Sequence, residues 1–216
     1  MADAGTIVSG FDIPVEQHVE NNQFVIAARE GKLGKDQLRR LLQLEFQTQE
    51  LEFSAYPLLA IRFRHEVPAS LFVYVADRVL KARRLLVGEV APVVGWDVGE
   101  LRRAPLTPAT QEAATFLAWM GLQAGAGEAA LVARADFTLW TATCAELVRV
   151  LDGSDVPAEL LNYLREYSEP PPEVVEAATD VVEWALASGE DPERITRSAP
   201  GVEPLLAKLW RFAAEG

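Results

Sequence analysis

The sequence predicts an all-α protein, a single compact multi-helix bundle, and three observations carry that prediction. Apolar residues recur every three or four positions from Pro14 onward. No segment sustains the alternation of a half-buried strand. The chain has 216 residues, half of them apolar, which is enough to enclose one core.

The elements follow from the same pattern. Residues 1–10, small and slightly acidic, read as a flexible leader to a helical domain over 11–216. Asp12 or Ile13 before Pro14 suits a helix start, since proline loses no hydrogen bond in a first turn, and that helix runs to Glu30, before Gly31 and Gly34. A long helix is expected from Lys35 to about Phe63, kinked at Pro57. A third spans Ala69 to Val90, and the stretch from Ala91 to Pro108, with Pro92, Gly95, Gly99 and Pro105, reads as a long connection. Thr107 caps a helix to Leu122, and Gly121, Gly125 and Gly127 mark either a helix break or a close approach of a ligand to backbone. Another helix covers Glu128 to Leu151 and ends at Asp152-Gly153. Shorter ones cover Pro157 to Tyr167, Pro172 to Ser188 and Gly201 to Ala214, about eight in all, with a loop from Gly189 to Pro200.

Charge and composition narrow the function. A net charge of -12 and a pI near 4.7 repel phosphate backbones. The one basic stretch, Lys81, Arg83 and Arg84, is too short to reverse that, so nucleic acid is not an expected partner. No run approaches the roughly 20 apolar residues of a membrane span, and the start lacks a signal peptide's basic and apolar regions. With Cys144 the single cysteine, no internal disulfide can form, and the cytoplasm is the expected compartment.

Polar residues at positions where a core residue belongs point to a site. On the wheel of the second helix Leu38, Leu41, Leu42 and Phe53 share one face, and Glu45, Gln49, Glu52 and Tyr56 fall in the middle of it. Arg39, Gln43, Gln47, Glu50 and Ser54 occupy the opposite side. On the helix from Glu128, Asp136 centres the face of Val132, Leu139, Leu147 and Val150, with Trp140 and Thr143 beside it. Arg83 falls within the apolar arc of Phe72, Val75, Val79 and Leu86. An unpaired buried charge costs several kcal/mol, roughly, so these groups either pair with one another, with Arg83 bridging to Glu45, Glu52 or Asp136, or line a ligand pocket. Trp119, Trp140, Trp184 and Trp210 are candidates to wall a flat ligand or to fill the core.

Several chemistries lack their residues. The histidines are His18 and His65 alone, neither in a paired ligand motif, so no metal site and no cofactor are expected. Cys144 has no assignable base and reads as a small buried hydrophobe. Phosphate-binding, dinucleotide and serine-elbow motifs are absent.

The stretch FVIAAREGKLGKDQLRRLLQLEFQTQELEF, Phe24 to Phe53, resembles the opening of the haem-oxygenase-like superfamily, above all its thiaminase-type (TenA-like) and PqqC-like branches. Gly31 and Leu33 stand in the Gly-x-Leu turn of that pattern, Gln37 stands at the glutamine that opens its next helix, here Gln37-Leu38-Arg39-Arg40, and Glu45 takes its inward acidic position. The resemblance implies a bundle with a small-molecule pocket at its centre. It also shows departures: Thr48 stands where the thiaminase-type branch has a tyrosine, Asp136 falls near that branch's nucleophilic cysteine, and Glu16 takes the place of the haem-binding branch's proximal histidine.

The reading that follows is a metal-independent enzyme of small-molecule or secondary metabolism. Glu45 and Asp136 are its acid/base candidates in a cyclisation, isomerisation, elimination or hydrolysis. Arg83 would anchor the substrate, and Gln49, Glu52, Tyr56, Trp140 and Trp119 would shape the site. A non-catalytic binding or regulatory protein is the alternative, and a haem or di-iron oxygenase a more distant one. Exposed helix faces would allow a homodimer.

Overall fold

A computed structural model describes residues 3–11 and 13–215, and among them every regular element is helical. The helices are α1 (Ala4–Gly10), α2 (Val15–Asn21), α3 (Gln23–Arg29), α4 (Lys35–Arg62), α5 (Glu66–Leu85), α6 (Ala91–Val94), α7 (Val98–Arg103), α8 (Pro108–Gln123), α9 (Ala126–Leu151), α10 (Ala158–Glu166), α11 (Pro172–Ala187), α12 (Pro192–Arg197) and α13 (Val202–Ala214). The long α4 lies between α5 and α8, α9 packs along α11, and α13 closes over α3, α4, α8 and α9. None of these helices is long and apolar enough to cross a membrane.

The expected leader is a helix. Asp3 accepts a hydrogen bond from the Thr6 amide (2.9 Å), and α1 buries Ala4, Ile7 and Val8 against α11. Seven residues show too little periodicity to be read, and so short a helix holds by packing rather than by propensity. The helix expected to start at Pro14 is likewise two. Pro14 is the N-cap of α2, Asp12 lies outside the described residues, and Asn22 ends α2 while its side chain accepts from the Phe24 and Val25 amides that open α3. A local side-chain acceptor here competes with continuation of the helix.

The break expected at Ala91 also moves. A π-helical turn over Leu86–Val90 carries α5 straight into α6, and the run stops at Gly95, whose φ of 80° suits glycine. The rest of that expected connection holds α7, capped by Asp97 onto the Glu100 amide. The expected loop after Gly189 holds α12. The glycines before α9 admit a carboxylate of the chain itself. Glu190 accepts from the Gly127 and Glu128 amides (3.1 and 3.2 Å), and a Cβ at Gly125 would overlap it. That cap starts α9 two residues ahead of Glu128.

Candidate active site

A cavity lies between α4, α5, α8, α9, α10 and α13. Its volume is about 100 Å³, well above the roughly 10–15 Å³ that one water needs. The space suits several waters or one small organic molecule.

Its polar floor comes from α4. Glu45, Gln49, Glu52 and Tyr56 recur at three- and four-residue spacing, so one stripe of that helix faces the cavity, and Asp136 meets them from α9. Trp140 lies one turn beyond Asp136 and stacks on Trp210 of α13, with ring centroids 4.9 Å apart and planes 11° from parallel. Phe116, Phe137, Tyr163 and Tyr167 complete an aromatic wall. Tyr163 joins wall to floor: its hydroxyl accepts from Gln49 Nε2 (2.9 Å) and donates to Glu45 Oε2 (3.1 Å).

Three carboxyls thus share an apolar enclosure, and among the described residues no Lys, Arg or His forms an ion pair with any of them. Burial raises the Glu45 carboxyl to about 8, and the charge of Asp136 adds to the rise against hydrogen bonds from Tyr163 and Gln49. Burial likewise raises Asp136 to about 7. Burial, and then the charges of Asp136 and Glu45, push Glu52 well above the usual carboxylate range. Desolvation and like charge act in the same direction, so near neutral pH the cluster holds protons that ordinary carboxylates would have released.

The lining leaves further groups unmatched. Gln49 Oε1, Arg78 Nε and Trp210 Nε1 are buried without a hydrogen-bond partner, and all three residues line this cavity. Unsatisfied donors and acceptors around one space are what ordered water or a ligand satisfies.

The cavity lining brings together Glu45, Gln49, Glu52, Tyr56, Asp136 and Trp140. It leaves out Arg83 and Trp119. Arg83 pairs with Glu50 on the outer side of α4 and lies 4.9 Å over the Phe46 ring, so none of the expected bridges to Glu45, Glu52 or Asp136 forms. The buried arc of α5 touches several neighbours, and the wheel does not tell which part of that arc meets the cavity. That part carries Arg78, Val79 and Ala82. Trp119 packs half-buried on Phe116, and Trp184 stacks on His65, both away from the lining. The sequence reading missed Arg78, Tyr163 and Tyr167. The tyrosines stand four apart, Tyr163 within the short amphipathic α10 and Tyr167 at its C-cap, a spacing that puts both on one face.

Cys144 is fully buried, and burial with the nearby Glu45 charge pushes its thiol well up, away from the thiolate a nucleophile needs. His18 is buried outside the lining, its Nδ1 3.0 Å from Glu203. Among the described residues, no group of three or more His, Cys, Asp or Glu side chains is arranged to hold a metal ion.

No family model matches the sequence, and no curated protein matches it. Solved structures do. A TenA family transcription regulator from a Silicibacter species matches with a TM-score of 0.72 at 12% identity, over 100% of this chain and 98% of its own. A domain of unknown function with a heme oxygenase-like fold, from Shewanella denitrificans, matches at 0.69 and 11%, over 97% and 89%. A candidate TenA-like thiaminase from Sulfolobus solfataricus matches at 0.59 and 12%, over 97% and 95%. The chain has the haem-oxygenase-like fold that these neighbours share over most of their length.

Proposed function

We propose that this protein is an acid/base enzyme that acts, without a metal, on a small organic substrate carrying a basic nitrogen. The observation that carries the reading is the set of three cavity-lining carboxyls, Glu45 buried and Glu52 and Asp136 half-buried, with no cationic partner among the described residues and walled by stacked aromatic rings. An ammonium or protonated heterocycle supplies the charge that the cluster lacks, and aromatic faces attract cations as well.

The roles follow from the proton inventory. Asp136, raised to about 7, sits where both protonation states are populated and can take a proton from the substrate. Glu45, raised to about 8, stays protonated at neutral pH and can give one. Tyr163 and Gln49 hold the Glu45 carboxyl in place. The thiol chemistry of the thiaminase-type branch is not part of this reading, because the resemblance puts that branch's cysteine near Asp136, where this chain has no cysteine, and Cys144 is sealed in the core.

The test begins with a thermal-shift screen of small amines and nitrogen heterocycles, followed by mass spectrometry of the hits for conversion. Glu45→Gln and Asp136→Asn should still bind the converted compound while turnover falls roughly 10²–10⁴-fold. Binding without conversion by the wild type would instead favour a non-catalytic binding protein, an alternative that the regulator among the structural neighbours keeps open.

A further inference from the structure

The cavity has a second polar end. Arg78, on α5, lines it beyond the two tyrosines: Glu45 meets Tyr163, the Tyr163 and Tyr167 rings lie 5.1 Å apart, and the Arg78 guanidinium sits 4.9 Å over Tyr167. Among the described residues this guanidinium makes no hydrogen bond. Its one charged contact is a 4.0 Å approach to Glu166, whose side chain is 59% exposed. Its Nε is buried without an acceptor.

Two other half-buried arginines have partners: Arg134 donates to the Val8 carbonyl, and Arg83 pairs with Glu50. Arg78 keeps its planar fork of five donors free beside an enclosed space, an arrangement suited to bidentate capture of a carboxylate. The carboxyl cluster does not use it, because Arg78 pairs with none of its three members.

We infer that Arg78 forms an anion-binding subsite at the end of the cavity away from Glu45, so that the ligand is an amino-carboxylate with its two charges at opposite ends. The inference rests on the proposed role of the carboxyl cluster toward a basic nitrogen. Between its ends such a ligand presents a flat or extended apolar body to Trp140, Trp210 and the tyrosines.

Three rigid probes test it by titration calorimetry at neutral pH: para-aminomethylbenzoate, para-methylbenzylamine and para-methylbenzoate. The expected result is that the amino-carboxylate binds the wild type at least about tenfold more tightly than the amine. Arg78→Gln should abolish that preference and leave the affinity for para-methylbenzylamine unchanged, which also shows that the variant is folded. Equal affinities for the amine and the amino-carboxylate in the wild type overturn the Arg78 subsite, and this comparison needs no variant. A preference that survives Arg78→Gln overturns it too. Failure of both amine-bearing probes to bind overturns the basic-nitrogen reading itself and the amino-carboxylate with it, whereas amine binding without a carboxylate preference sinks the subsite alone.

Discussion

Replacing Glu45 by glutamine should stabilise the protein, and the gain should depend on pH. The carboxyl titrates at about 8 in the fold against an ordinary 4.5. Between those values the folded protein holds a proton that the unfolded chain has lost, so stability falls as pH rises. The contribution is intact below about pH 4.5 and fully lost once pH passes about 8. At roughly 1.36 kcal/mol per unit, the loss is about 3 kcal/mol at pH 7 and about 5 kcal/mol at alkaline pH, upper bounds because cavity water solvates the ionised form. Glutamine has no such cost, and its oxygen can still accept from Tyr163 and Gln49. Urea unfolding of wild type and Glu45→Gln across this range should show equal stability near pH 4.5 and a growing advantage for the variant above it. A variant no more stable than wild type under mildly alkaline conditions would refute the reasoning, because Glu45 would then be an ion held by a partner.

Arg83→Ala should cost at most about 1 kcal/mol in thermal unfolding and leave ligand affinity unchanged, since it removes a half-exposed pair with Glu50 and contact with Phe46 outside the cavity. Gly125→Ala should destabilise by roughly 1–2 kcal/mol, because the new Cβ displaces the Glu190 carboxylate from the Gly127 and Glu128 amides; an unchanged melting temperature would show that this cap contributes nothing. Cys144 should react with a thiol reagent only as fast as the protein opens, so the native and urea-unfolded rates should differ by orders of magnitude.

The sequence exposed those parts of the fold and site that repeat over several helical turns. The 28 residues of α4 supply enough turns to average the pattern, which is why the sequence alone assigns Glu45, Gln49, Glu52 and Tyr56 to one face. The same logic placed Asp136 and Trp140 on α9. What stayed hidden depends on which neighbour each face meets. Arg78 and Arg83 both flank the buried arc of α5, and only the packing of α4 and α10 decides that Arg78 reaches the cavity while Arg83 meets Glu50. The short helices α1, α7 and α12 escaped because six or seven residues hold too few turns, and what fixes their starts is a single Asp side chain at each cap. The glycines before α9 left two readings open, and Glu190, more than sixty residues away in sequence, is the group that decided between them.

The same energetics separates a functional carboxyl cluster from a structural one. A buried ion pair that fixes helix register needs its cation in place, and here neither arginine of α5 that borders the region supplies it: Arg83 pairs with Glu50, and Arg78 lies over the Tyr167 ring without pairing with any of the three carboxyls. Tyr163 and Gln49 give Glu45 two hydrogen bonds, and that is not enough to bring its proton affinity down to the ordinary range. Left as it stands, the cluster only weakens the fold as pH rises, and an apolar residue at any of the three positions would be more stable. A ligand cation reverses that balance: on entering it favours ionisation of Asp136 or Glu45 and so expels a proton. Binding of a charged amine should therefore strengthen as pH rises through about 7 to 8, up to the amine's own pKa, and calorimetry in buffers of different ionisation enthalpy should detect the released proton. Amine affinity that weakens over that interval would mean the carboxyls contribute no charge to the bound state, and the acid/base reading would go with it.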